Sequence, residues 1–139
     1  WLSLNYAYIG GYEWQYENIN RGIIVQPDLG QLLDWQFWCE NGEIKYIQLS
    51  RKLGKNLEEF ICFTDSSCEN TDMYLGIKPM RFKLLSKEKE TYKKMKPIVE
   101  QLASDYKFVR VDLYSINDKV KFSELTFSPC SGNLISYDF

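Results

Sequence analysis

Phe108-Val-Arg-Val-Asp-Leu-Tyr-Ser-Ile-Asn-Asp-Lys-Val-Lys-Phe-Ser-Glu-Leu-Thr-Phe-Ser-Pro-Cys-Ser-Gly132 is the stretch on which the fold turns. Two β-like runs, 108–116 and 120–127, flank a polar Asn117-Asp118 pair, which is a hairpin signal. Side chains alternate along a strand, so Arg110, Asp112 and Tyr114 share one face and Val109, Val111 and Leu113 the other. On the second run the same rule groups Phe122, Glu124 and Thr126 against Leu125 and Phe127. One side of the predicted hairpin is apolar, and the other brings Arg110, Asp112, Glu124 and Thr126 together. Two carboxylates and a hydroxyl suit a hard cation such as magnesium, which takes oxygen ligands and keeps positions for waters and phosphates. A neighbouring arginine can grip phosphates carried by such a metal. The plain alternative is an amphipathic hairpin with a solvated face, on which Arg110 pairs across the strands with Glu124.

Composition bounds the rest. The chain has 139 residues, 45% hydrophobic and 16% aromatic, enough for one domain with a packed core and against disorder. A net charge of −2 gives no pull toward nucleic acid or anionic membrane, and no apolar run approaches spanning length. There is no histidine, which removes Ser-His and Cys-His nucleophile pairs. The cysteines, Cys39, Cys62, Cys68 and Cys130, lack zinc-finger spacing and read as buried thiols of a reducing, cytoplasmic compartment.

Upstream, residues 1–20 are an aromatic lead-in broken at Gly10-Gly11. Gly22-Ile23-Ile24-Val25-Gln26 has the pattern of a short buried strand, stopped by Pro27-Asp28 and Gly30. Runs at 34–39 and 43–49 around Asn41-Gly42 predict a second hairpin, because both turn residues tolerate positive φ. Residues 58–64 predict another strand, and 73–85 read as irregular but packed. Ser86 is the expected N-cap of a helix over 87–104. Tyr92, Met95, Val99, Leu102 and Tyr106 keep its apolar spacing, with Ile98 and Ala103 beside them, while Lys93, Lys94 and Lys96 form a solvated face. Pro97 predicts a kink or a late start, since an interior proline costs about 3 kcal/mol.

Arg110-Val-Asp-Leu-Tyr114, then Glu124-Leu-Thr-Phe-Ser-Pro129 and Ser131-Gly132, resembles the end of an ATP-grasp domain, and more narrowly the TupA-like ATP-grasp family associated with teichuronopeptide synthesis. Asn5-Tyr6 and Glu13-Trp-Gln-Tyr16 are also similar to that family. The resemblance implies an α+β fold, an antiparallel sheet with one main packing helix, like the C-terminal lobe of an ATP-grasp domain. It implies that residues 21–139 form the hinge and metal-binding lobe. It implies that Asp112 and Glu124 bind the magnesium of ATP, with Thr126 where the family usually has asparagine. Arg110 would contact phosphate as a catalytic and cofactor-binding residue, Arg51 would approach the phosphates, and backbone groups at Val25 and Gln26 would bind adenine. The family usually has glutamate where Gln26 stands and lysine where Gln36 stands.

The implied activity is that of a bacterial ATP-dependent ligase, which activates a carboxylate or sugar acid as an acyl phosphate for attack by an amine, in cell-surface polysaccharide or teichuronopeptide synthesis. Two other classes stay open. One is a non-catalytic domain that keeps the ATP-grasp shape, which Gln26, Gln36 and Thr126 favour. The other is a glycosyltransferase, whose expected Asp-x-Asp motif is absent. The chain opens at Trp1, and nothing before Gln26 resembles the phosphate-contacting lysine and glycine-rich loop of the preceding lobe. The expectation is a fragment that binds magnesium-ATP poorly alone and self-associates through its aromatic lead-in.

Overall fold

The computed structural model describes residues 17–30, 32–52, 58–63 and 84–128, the backbone alone at 51–52 and 58–63. The chain divides into two compact units, residues 1–29 with 128–139, and residues 30–127.

The larger unit is α+β. Its elements run β1 (Asp34–Glu40), β2 (Glu43–Lys52), β3 (Glu58–Phe63), α1 (Ser86–Ala103), β4 (Phe108–Ile116) and β5 (Lys119–Thr126). The strands form one five-stranded sheet in the order β3-β2-β1-β4-β5. All its pairings are antiparallel. Each predicted hairpin turn is present with left-handed backbone at both central residues. Asn41 and Gly42 have φ of 49° and 81°, and Asn117 and Asp118 have 49° and 60°. That twist matches the right-handed twist of the flanking strands. The Asn41 amide also donates to the Lys107 carbonyl at 3.0 Å, tying the first hairpin to the chain entering β4.

One face of the sheet carries Trp35, Phe37, Cys39, Ile47, Leu49, Val109, Val111 and Leu113, all buried against Tyr92, Met95, Val99 and Ala103 of α1. The Tyr92 ring stacks 6.5 Å from Trp35 and 6.4 Å from Phe37, between centroids. Each fully buried aliphatic or Met side chain here is worth about 1.5–3 kcal/mol of transfer free energy. This packing locks which sheet face points away from the helix. Cys39 is a buried free thiol, as expected. Cys68 and Cys130, the lead-in at 1–16 and most of 73–85 lie outside the described residues, as does the Cys62 side chain.

Four expectations for the larger unit are corrected. The helix begins one residue early, with Leu85 as N-cap, and the Leu85 amide donates to the Glu88 carboxylate at 2.7 Å. Glu88 is drawn back over the first turn, so the Ser86 hydroxyl is not needed as a cap. The helix runs unbroken past Pro97, which sits on its exposed side. Ile98 and Tyr106 lie outside the buried stripe, which narrows to positions 88, 92, 95, 99 and 103, and Tyr106 meets the Phe127 ring edge-on instead. On β5 the register slips by one residue at Ser123, so Asp112 faces Glu124 but Leu113 faces Phe122. The bulge moves Phe122 off the Glu124 face, since one extra residue reverses the alternation beyond it.

In the smaller unit, Gly22–Gln26 is not a buried strand. Residues 20–30 have no regular structure, and Ile24 is 91% exposed. A short, mostly apolar run becomes a strand only by pairing and burying both faces, and among the described residues nothing pairs with it.

Candidate metal and phosphate site

The sheet face turned away from α1 carries polar side chains in register across four strands. Gln48 lies opposite Gln36, Gln36 opposite Asp112, and Asp112 opposite Glu124. The adjoining row is Tyr46, Trp38, Arg110 and Thr126. Alternation puts these residues on one face, and the antiparallel pairing of β1 with β4 brings the two hairpins side by side.

Arg110 is the centre of the cluster. Its Nε donates to Asp112 Oδ1 at 2.8 Å and its Nη2 to Asp112 Oδ2 at 2.7 Å, a two-pronged grip. The same Nη2 donates to Glu124 Oε1 at 2.8 Å. Thr126 donates its hydroxyl to that same oxygen at 2.9 Å. Beneath the guanidinium lies the Trp38 ring, its centroid 5.6 Å from Arg110 Cζ, within cation–π range. Trp38 is buried, and its Nε1 has no hydrogen-bond partner among the described residues.

The two carboxylates differ in setting. Asp112 is 3% exposed, whereas the Glu124 side chain is 57% exposed. Burial pushes the Asp112 carboxyl up to about 6, with Glu124 and Asp34 adding to the rise and Arg110 opposing it. Burial alone would lower the Arg110 guanidinium, but Asp112 and then Glu124 outweigh it and hold the group above its ordinary value.

The donor set fits magnesium. It is wholly oxygen, from two carboxylates and a hydroxyl, and the gap between the carboxylates already holds a positive charge. Glu124 Oε2 takes no hydrogen bond among the described residues and projects from the more exposed side chain. Among those residues no three of His, Cys, Asp and Glu gather as a metal cluster, so a cation here would complete its shell with water or phosphate.

The structure thus brings Arg110, Asp112, Glu124 and Thr126 together. Arg51 occupies the position opposite Glu59 on β2, and its side chain lies outside the described residues. Val25 and Gln26 are exposed and belong to the smaller unit. Sequence reasoning missed Trp38 and Gln48. Alternation from Gln36 places Trp38 on its face, and the Asn41-Gly42 turn sets Gln48 near Gln36. The bulge between Trp38 and Cys39, which skips Lys45, leaves no local signal.

The sheet is thus antiparallel and backed by one helix, and it places an arginine and two carboxylates on neighbouring strands. The sequence model of the TupA-like ATP-grasp family matches residues 5–138, and the chain belongs to that family. No curated protein and no solved structure matches it. Among the described residues no helix is long and apolar enough to cross a membrane.

Proposed function

We propose that this chain binds magnesium-ATP on the sheet face away from α1, as part of a bacterial, cytoplasmic ATP-dependent carboxylate–amine ligase acting in cell-surface polysaccharide or teichuronopeptide synthesis. One observation carries the reading. A guanidinium bridges Asp112 and Glu124, so paired strands hold two carboxylates about a positive charge. Asp112 and Glu124 are the metal ligands, with the Thr126 hydroxyl beside them. Magnesium bound there supplies neutralisation of phosphate charge. Arg110 grips phosphate oxygens, which its planar fork matches two at a time. The acceptor of the phosphoryl group is a carboxylate or sugar acid. Catalysis on such a site rests on positioning and on charge stabilisation rather than on a covalent intermediate with the protein.

A second reading is favoured by Gln36. This neutral residue lies directly opposite Asp112, where the family usually has lysine. Without that charge the domain binds nucleotide but does not turn it over.

Calorimetric titration of the full chain with magnesium-ATP tests the site. The affinity that wild type shows, expected to be weak, is lost in Glu124→Gln. The exposed Glu124 contributes little to stability, so the variant melts within a few degrees of wild type. Equal affinity in the two proteins removes the assignment. ADP release in the presence of carboxylates and amines separates the ligase from the binding domain.

A further inference from the structure

Arg110 does more than stand beside the carboxylates. It satisfies both oxygens of Asp112 and one of Glu124, and Thr126 takes that same Glu124 oxygen. The cluster of one guanidinium and two carboxylates carries a net charge of −1 rather than −2. A free divalent cation approaching it meets half the attraction. It must also break charge-assisted hydrogen bonds for which Arg110 has no replacement, and a buried, unpaired arginine is costly. The side chain is 15% exposed, so water does not readily take over those bonds.

The balance changes when the cation arrives carrying phosphates. Phosphate oxygens accept the same two-pronged hydrogen bonds that Asp112 now accepts. Arg110 then trades carboxylate for phosphate with little loss, while the carboxylates turn to the metal. The Trp38 ring, its centroid 5.6 Å from Arg110 Cζ, gives the guanidinium a cation–π contact that does not depend on either carboxylate.

We infer that Arg110 is an internal counter-cation that masks Asp112 and Glu124 against free divalent metal and releases them only to a metal–phosphate complex. The inference rests on the magnesium-ATP reading above and adds a selectivity to it. Arg110 is here a positioning residue for the cation as well as a phosphate ligand, and its two roles predict effects of opposite sign.

The test uses manganese(II) as the probe, counted as free ion by electron paramagnetic resonance, with the full chain and Arg110→Gln. The variant is expected to bind manganese alone about tenfold or more tightly than wild type, because one charge-assisted competitor for the same oxygens is gone. It is expected to bind the manganese complex of a non-hydrolysable ATP analogue more weakly. In wild type the Arg110 Nε–H resonance, followed by NMR, should shift on adding magnesium with the analogue and stay in place with magnesium alone. Unchanged or weaker manganese binding by Arg110→Gln overturns the inference. If that variant does not fold, the wild-type resonance decides, and a resonance that moves with free magnesium overturns it too. If wild type ignores the nucleotide while Arg110→Gln still gains manganese affinity, the masking stands and the ATP reading falls.

Discussion

Replacing Asp112 by asparagine should stabilise this protein at neutral and alkaline pH. Asp112 is almost fully buried, and burial is the largest influence on its carboxyl, which titrates at about 6 against an ordinary 3.8. Because the folded-state value is raised, the group favours folding most at pH values below 3.8. That contribution is lost as pH rises through about 6. Holding the ionised carboxylate in place at pH 8 therefore costs about 3 kcal/mol, at 1.36 kcal/mol per pKa unit. Asparagine keeps an oxygen for Arg110 and removes the buried negative charge, and Arg110 keeps its bond to Glu124 at 2.8 Å. The advantage of Asp112→Asn should be small at pH 4, grow as pH rises toward 6, and level off at about 3 kcal/mol by pH 8. Urea denaturation of both proteins across that range measures the difference directly, and subtraction cancels the titration of every other carboxylate. The opposing consideration is the two-pronged ion pair, since breaking a buried pair outright costs about 3–5 kcal/mol. If Asp112→Asn is less stable than wild type at pH 8, the pair outweighs the burial and the reasoning fails. A pH-independent difference refutes it equally. A stabilising result fits a residue kept for binding at the expense of stability.

Other outcomes are expected. The proton competes with metal for Asp112, so affinity for magnesium-ATP should be flat above about pH 7. Below about pH 6 it should fall about tenfold per unit, after allowance for protonation of the nucleotide, in calorimetry at stepped pH. Gly42→Ala should cost about 1–2 kcal/mol in chemical denaturation, because alanine disfavours the φ of 81° held there; its Cβ, 3.4 Å from Ser104 Cα, would meet only ordinary contact. Glu124→Gln should lose less than about 1 kcal/mol of stability, as an exposed partner whose amide oxygen still accepts from Thr126, while losing magnesium-dependent nucleotide binding.

Much of this fold is legible locally. Asn41-Gly42 and Asn117-Asp118 tolerate left-handed backbone, and that tolerance between β-like runs predicts both hairpins. Alternation puts Arg110 and Asp112 on one face and Val109 and Val111 on the other, and helical spacing picks out Tyr92, Met95 and Val99. The family itself was legible in Arg110–Tyr114 and Glu124–Pro129. Three things were decided by tertiary structure. The first is that β1 lies beside β4, which puts Gln36 opposite Asp112 and Trp38 beneath Arg110; strands far apart in sequence carry no local signal of their pairing. The second is the bulge at Ser123, which turns Phe122 away while leaving Glu124 facing Asp112. The third is the state of the site. Residue type shows that Asp112 can bind a cation, but its burial and the reach of Arg110 decide which cation is there already, and both depend on packing that only the folded sheet supplies.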